Sequence, residues 1–169
     1  MADIVVLGAG LGGIPAAYEI KPHLRSGDRL TVVGQGSTYH FVPSNPWVAV
    51  GWRAREQIEI DLARVFAKKR IDFAPQGARR VHPSENRVEL GDGASLSYDY
   101  LVIATGPDLA FDEVEGLGPE WHTQSICHVD HAMKTAEAFA RLVENPGPIV
   151  VGAVQGASCF GPAYEFAFI

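Results

Sequence analysis

The stretch DIVVLGAGLGG, Asp3 to Gly13, constrains this chain more than any other part of it. Residues 3–8 form a short apolar run with β-branched side chains, which reads as a buried parallel strand. Gly8-x-Gly10-x-x-Gly13 follows at once, and Pro15-Ala16-Ala17 continues into a helix with proline in its first turn. A glycine triplet alone is common, but between a strand and a helix it is the fingerprint of a dinucleotide site. There Gly8 permits the tight turn, Gly10 lets the backbone approach a pyrophosphate, and Gly13 lets helix and strand pack closely. Ala9 and Gly12 belong to the same loop, and the helix N-terminus faces the phosphate charge. Pro22 is expected to kink or end the helix, Ser26-Gly27 to close the turn, and Leu30 to Val33 to form a second buried strand. This is a β-α-β unit, the first of a doubly wound sheet. The acidic residue that such a site uses for the ribose is missing. Gly34 stands at that position, so ribose contacts fall to the Gln35 side chain or to backbone groups.

Past this unit the sequence changes character. From Tyr39 to Trp52, YHFVPSNPWVAVGW is aromatic and proline-rich with neither helical nor strand period, an apolar loop rather than a solvated linker. Trp52 in particular reads as cover for a core edge. Leu62, Val65 and Phe66 mark one face of a short helix, and Ile71 to Phe73 a third strand. Three short strands, Ala78 to His82, Arg87 to Leu90 and Ser95 to Ser97, alternate with turn residues and form a meander. Tyr100 to Ala104 is another buried strand, ending at Thr105-Gly106-Pro107. Val129, Ala132, Met133, Ala136, Phe139, Ala140 and Val143 then repeat with a helical period, stopped by Asn145-Pro146-Gly147-Pro148. A last strand, 149–151, and a second glycine loop follow. The predicted class is α/β. Residues 1–106 are the first part of a Rossmann-like domain with a parallel sheet, helices and a β-meander, and residues 107–169 the truncated start of a second.

A net charge of −6 over 169 residues argues against a nucleic-acid surface, and Lys68-Lys69-Arg70 reads as a solvated helix end. No apolar run approaches the roughly 18 residues of a membrane span. Cys127 and Cys159 are too few for a disulfide scaffold. His122, His128 and His131 flank Cys127 without zinc-ligand spacing, so no metal site is expected.

Two further motifs carry a family resemblance. YDYLVIATG, ending at Gly106 after the meander, resembles the second signature of the two-dinucleotide-domain flavoproteins of the glutathione-reductase type. The resemblance implies FAD, held by Gly8, Ala9, Gly10, Gly12 and Gly13, by Gly34 and Gln35, by the backbone near Ala78, and by Thr105 and Gly106. The dithiol members carry a cysteine pair beside the flavin. No cysteine precedes Cys127, so that chemistry is excluded. FVPSNPW (41–47) together with GASCFGPAYEF (156–166) instead resembles the sulfide:quinone oxidoreductases of the bacterial type, a likeness that runs from Ala2 to the end. It implies sulfide and quinone as small-molecule substrates, and Val42 and Pro43 against the flavin ring. It also implies that this chain is the opening part of such an enzyme and inactive alone. The parent is then peripheral on the inner (cytoplasmic) membrane through missing C-terminal helices, the fragment soluble, and a homo-oligomer compatible with the family.

The second glycine loop, GAVQGASCFG from Gly152, departs from the first. Val154 stands where its second glycine belongs, and a β-branched side chain occupies the space of a pyrophosphate. The second domain then has the fold of a nicotinamide site without its opening. Cys159 lies within about one turn of a helix start, at Gly156 or at Pro162, where a helix N-terminus favours the thiolate. On the residues alone, Cys159 reads equally as a packed cysteine and as a nucleophile. The resemblance implies the nucleophile, pairing with a cysteine far downstream and carrying sulfur as a persulfide. It matches Cys127 to a further cysteine that handles or releases sulfur. Glu165, on the last helix, reads either as a proton carrier near the flavin or as a satisfied helix carboxylate. The rivals are a non-catalytic FAD- or nucleotide-binding module, a flavocytochrome sulfide dehydrogenase subunit, and a type II NADH dehydrogenase, against which Val154 speaks.

Overall fold

Strand β1 (Asp3–Leu7) leads through the glycine loop into helix α1 (Gly13–Ile20), and β2 (Arg29–Val33) follows a 3-10 turn at Lys21–His23. Pro22 sits in that turn and ends the helix, because it has no N–H to continue the ladder. The chain then forms β3 (Thr38–His40), α2 (Asn45–Ala49), β4 (Glu59–Asp61) and α3 (Leu62–Lys68). The Asp61 side chain accepts from the Arg64 N–H at 3.0 Å and caps α3. Next come β5 (Asp72–Ala74), β6 (Ala78–His82), β7 (Arg87–Leu90), β8 (Ser95–Ser97) and β9 (Tyr100–Ile103). Helices α4 (Val129–Glu144) and α5 (Gly161–Phe168) complete the regular structure apart from short 3-10 turns. The computed structural model describes residues 1–154, 156–157 and 160–169. They divide into two units, Met1–Tyr39 with Ile60–Asp108, and His40–Glu59 with Leu109–Ile169.

The first unit carries a four-stranded sheet in the order β5-β2-β1-β9, with β1 parallel to both β2 and β9 and β2 parallel to β5. The strands at 3–8 and 100–104 thus share one sheet, as the two signatures require. Alternation along β1 divides its residues between two cores. Ile4 and Val6 join Ala17, Leu30, Val32, Leu62, Phe66 and Ile71 beneath the helices. Val5 and Leu7 join Val33, Val88 and Leu90 against the three-stranded antiparallel sheet β6-β7-β8. Both faces of β1 are therefore covered, and its residues from Ile4 to Leu7 are all buried.

The second unit is built differently. Its core is Val48, Ala49, Ile58, Val129 and Ala132, with Ile126 and Phe166 packed against it. The apolar segment 39–52, expected to be a loop, contains the end of β3, a 3-10 turn at Val42–Ser44 and the whole of α2. Pro43 and Pro46 each sit in a first turn, where a missing N–H costs nothing. Trp52 does not cover a core edge, being 63% exposed. The stripe on α4 is buried only in its first half, through Val129, Ala132 and the polar Thr135, whereas Met133 and Val143 are exposed. The strand expected at 149–151 is absent. Val150 is 94% exposed, and no described strand pairs with this run, without which a strand has no partner for its backbone groups. Among the described residues no helix is long and apolar enough to cross a membrane.

Candidate functional site

At the C-terminal end of the parallel sheet, the loop after β1 closes on the residue after β9. A Cβ on Gly8, whose φ is +104°, would lie 2.1 Å from the Ala104 carbonyl oxygen, so only glycine fits there. A Cβ on Gly13 would lie 1.8 Å from the Gly8 carbonyl oxygen, which fixes how closely α1 meets the loop. Gly10 behaves in the opposite way: nothing comes within 4 Å of its would-be Cβ, and the same is true of Gly106. The tight glycines shape a cradle and the open ones leave its surface bare. A Cβ on Gly12 would meet Ala104 at 3.6 Å, which puts the 8–13 loop and the Thr105-Gly106 turn on one rim. At the start of α1 the Ile14 and Ala16 N–H groups donate to the Gly10 and Gly12 carbonyls, each at 3.1 Å, Pro15 has no N–H, and the first turn holds no acidic side chain.

The turn after β2 joins the same rim. The Gly8 N–H donates to the Val33 carbonyl at 2.8 Å, and the Gly77 N–H to the Gly34 carbonyl at 2.9 Å. Gln35 forms an isolated antiparallel bridge with Gln76, which leads into Ala78 at the start of β6. The fold therefore brings together Gly8, Ala9, Gly10, Gly12, Gly13, Gly34, Gln35, Ala78, Thr105 and Gly106 within the first unit. It also gives the reason for the missing acid. A Cβ on Gly34 would lie 2.9 Å from the Phe73 ring and 3.0 Å from the Ala9 Cβ, so the space of a carboxylate side chain is already filled. Phe73 in turn packs on Phe66 with ring centres 5.2 Å apart. Sequence reading missed Phe73, because nothing local marks an aromatic on β5 as the neighbour of a turn after β2. Gly77, at φ +74°, was visible only as a glycine before a strand.

Val42 and Pro43 belong to the second unit, in the 3-10 turn Val42–Ser44, and Val42 is 38% exposed. Cys127 is exposed, and its N–H donates to Ser125 Oγ at 3.2 Å. His131 lies in the first turn of α4, with Nδ1 3.3 Å from the same Ser125 Oγ. Burial first, then the neighbouring His128 and Lys134, hold His131 below its ordinary value of 6.5, against Asp130 and Glu120. Glu165 is exposed on α5, which starts at Gly161 with Pro162 in its first turn. Cys159 lies outside the described residues. In the first unit, the Tyr39 hydroxyl is buried with no partner among the described residues, and burial pushes its pKa up.

Comparison with known proteins agrees with this geometry. The family described as pyridine nucleotide-disulphide oxidoreductase matches residues 2–158. A sulfide-quinone reductase of Aquifex aeolicus (strain VF5) is 42% identical over 166 residues, which cover 98% of this chain and 38% of that protein. A mitochondrial sulfide:quinone oxidoreductase of Dictyostelium discoideum is 30% identical over 182 residues, covering 100% of this chain and 38% of the relative. Among solved structures, the X-ray structure of the sulfide:quinone oxidoreductase from Aquifex aeolicus superposes with a TM-score of 0.88 at 40% identity, over 99% of this chain and 38% of that one. The chain thus spans well under half the length of these relatives.

Proposed function

The chain belongs to the pyridine nucleotide-disulphide oxidoreductase family, and from that premise we propose that it is the flavin-holding portion of a sulfide:quinone oxidoreductase. The observation that carries the cofactor is the cradle itself: Gly8 and Gly13 admit no Cβ, while Gly10 and Gly106 on the same rim face open space. Gly8 to Gly13 and the start of α1 hold the pyrophosphate of FAD. With an acid excluded at Gly34, Gln35 and the backbone of the turn receive the ribose, the backbone at Ala78 borders the adenosine, and Thr105-Gly106 closes the rim. Val42 and Pro43 are assigned to the flavin ring. When bound, the flavin supplies a two-electron acceptor that a quinone reoxidises.

The chain's own chemistry is thiol chemistry. Hydrosulfide attacks the disulfide between Cys159 and a cysteine beyond this chain, one sulfur becoming a persulfide and the other leaving as a thiolate with the electron pair. Cys127 takes up or releases the growing sulfur chain, and Glu165 is assigned to proton movement near the reacting sulfur. Val154 keeps a nicotinamide pyrophosphate out of the second loop, so that sulfide is the electron donor. The whole enzyme is peripheral on the inner (cytoplasmic) membrane through segments outside this chain. Stopped-flow bleaching of the flavin by sulfide in the full-length enzyme tests this reading. Cys159→Ser is expected to abolish bleaching, since an oxygen forms neither disulfide nor persulfide, and Cys127→Ser to slow turnover while leaving some bleaching. Bleaching at the wild-type rate in Cys159→Ser would make that thiol a structural one.

A further inference from the structure

Residues 123–128 have no regular secondary structure, yet three of their backbone groups, the Ser125 and Ile126 carbonyls and the Cys127 N–H, are taken up by side chains of the second unit. Asn45 Nδ2 donates to the Ile126 carbonyl at 2.8 Å, across 81 residues of sequence. Thr135 Oγ1 lies 2.9 Å from both the Ser125 and the His131 carbonyls, and donates its single proton to one at a time. Ser125 Oγ accepts the Cys127 N–H and lies beside His131 Nδ1. In the neutral tautomer with the proton on Nε2, His131 Nδ1 accepts the hydroxyl proton of Ser125 and leaves the oxygen's lone pairs turned to Cys127. The His131 ring is itself held, tilted against Phe111 and edge-on to His128, with ring centres 5.6 and 5.2 Å away.

Asn45 and Thr135 are the buried polar residues of this group, 0% and 4% exposed. Asn45 is a poor choice for packing alone. Its Oδ1 is buried and meets no donor among the described residues, which costs stability that a leucine of similar size would not. What the amide adds is one bond, to the carbonyl immediately before Cys127.

We propose that Asn45, Thr135, Ser125 and His131 are positioning residues that clamp Ser125–Cys127 and so fix where the exposed Cys127 thiol is presented. The inference rests on the reading of Cys127 as a sulfur-handling thiol, and deepens it. A thiol on irregular backbone otherwise samples many positions, and a misplacement of about 1 Å is enough to slow a reaction by about 100-fold.

The test uses the full-length holoenzyme with Asn45→Leu, which refills the core, and Thr135→Val, which keeps the shape of the side chain, each alone and each with Cys127→Ser. Each single variant is expected to speed amide exchange at 125–127 and to cut sulfide-dependent turnover by about tenfold. Thr135→Ser should restore both. Because the clamp acts through Cys127, neither variant should slow Cys127→Ser any further. Wild-type exchange at 125–127 in both variants, or losses that add in full to that of Cys127→Ser, would overturn the clamp. Wild-type turnover in Cys127→Ser alone would instead remove the reading of Cys127, and the proposal with it, whatever the exchange data say.

Discussion

The two units of this chain solve the same problem, satisfying buried backbone, by different means. In the first, backbone answers backbone: β1 has a parallel partner on each side, and its alternating residues feed two separate cores. In the second, helices satisfy most of the backbone, and side chains answer it in the irregular segment before α4. Among the described residues, its core carries no sheet of its own beyond the ends of β3 and β4, and Asn45 and Thr135 reach carbonyls that no ladder serves. A ladder is indifferent to side-chain identity as long as the pattern of burial is kept. A side-chain clamp depends on single atoms. The first arrangement suits a platform for a large cofactor, and the second suits the presentation of one reactive group.

The contrast can be broken most directly at Phe66, which is fully buried and touches both Tyr18 and Phe73. Phe66→Ala is expected to lower unfolding free energy by about 3–5 kcal/mol, read from the urea midpoint of the first unit's transition. A loss no greater than that of a surface change would mean that the helical-side core does not hold this unit together. Ile58, 3% exposed in the second unit, should be less costly to trim. Ile58→Val is expected to cost about 0.5–1.5 kcal/mol in the same assay, with faster amide exchange confined to that unit. The smallest effect is a pH dependence. Folding holds His131 below 6.5, so the unfolded chain takes up the proton first. Its contribution is present above pH 6.5 and is lost as the pH falls through the folded value. Melting temperature should therefore decline over that window, and His131→Asn should flatten the decline. An unchanged slope would place the acid sensitivity elsewhere.

The same contrast explains how much could be read from sequence. β1, α1 and β2 were legible because strand period, glycine spacing and Pro22 all act within a few residues of one another. The meander was legible because its turns announce themselves. The partners of Gly34 were not: what fills the space beside it is Phe73, brought there by the β2–β5 pairing. Nor was the Asn45–Ile126 bond, since nothing in either segment names the other. Within 39–52, two prolines read as loop signals turned out to occupy helix first turns, where proline is at ease. The run at 149–151 failed as a strand because pairing, not composition, makes one.

The ring of Phe73 beside Gly34 also constrains how this site can be altered. Introducing aspartate at position 34, the direct route to an acidic ribose anchor, drives a side chain into an aromatic ring 2.9 Å away and into Ala9 at 3.0 Å. Shrinking Phe73 first removes the ring that packs against Phe66. Each change is harmful without the other, so single-step mutation meets a barrier in both directions. A redesign of this turn therefore has to move both residues at once.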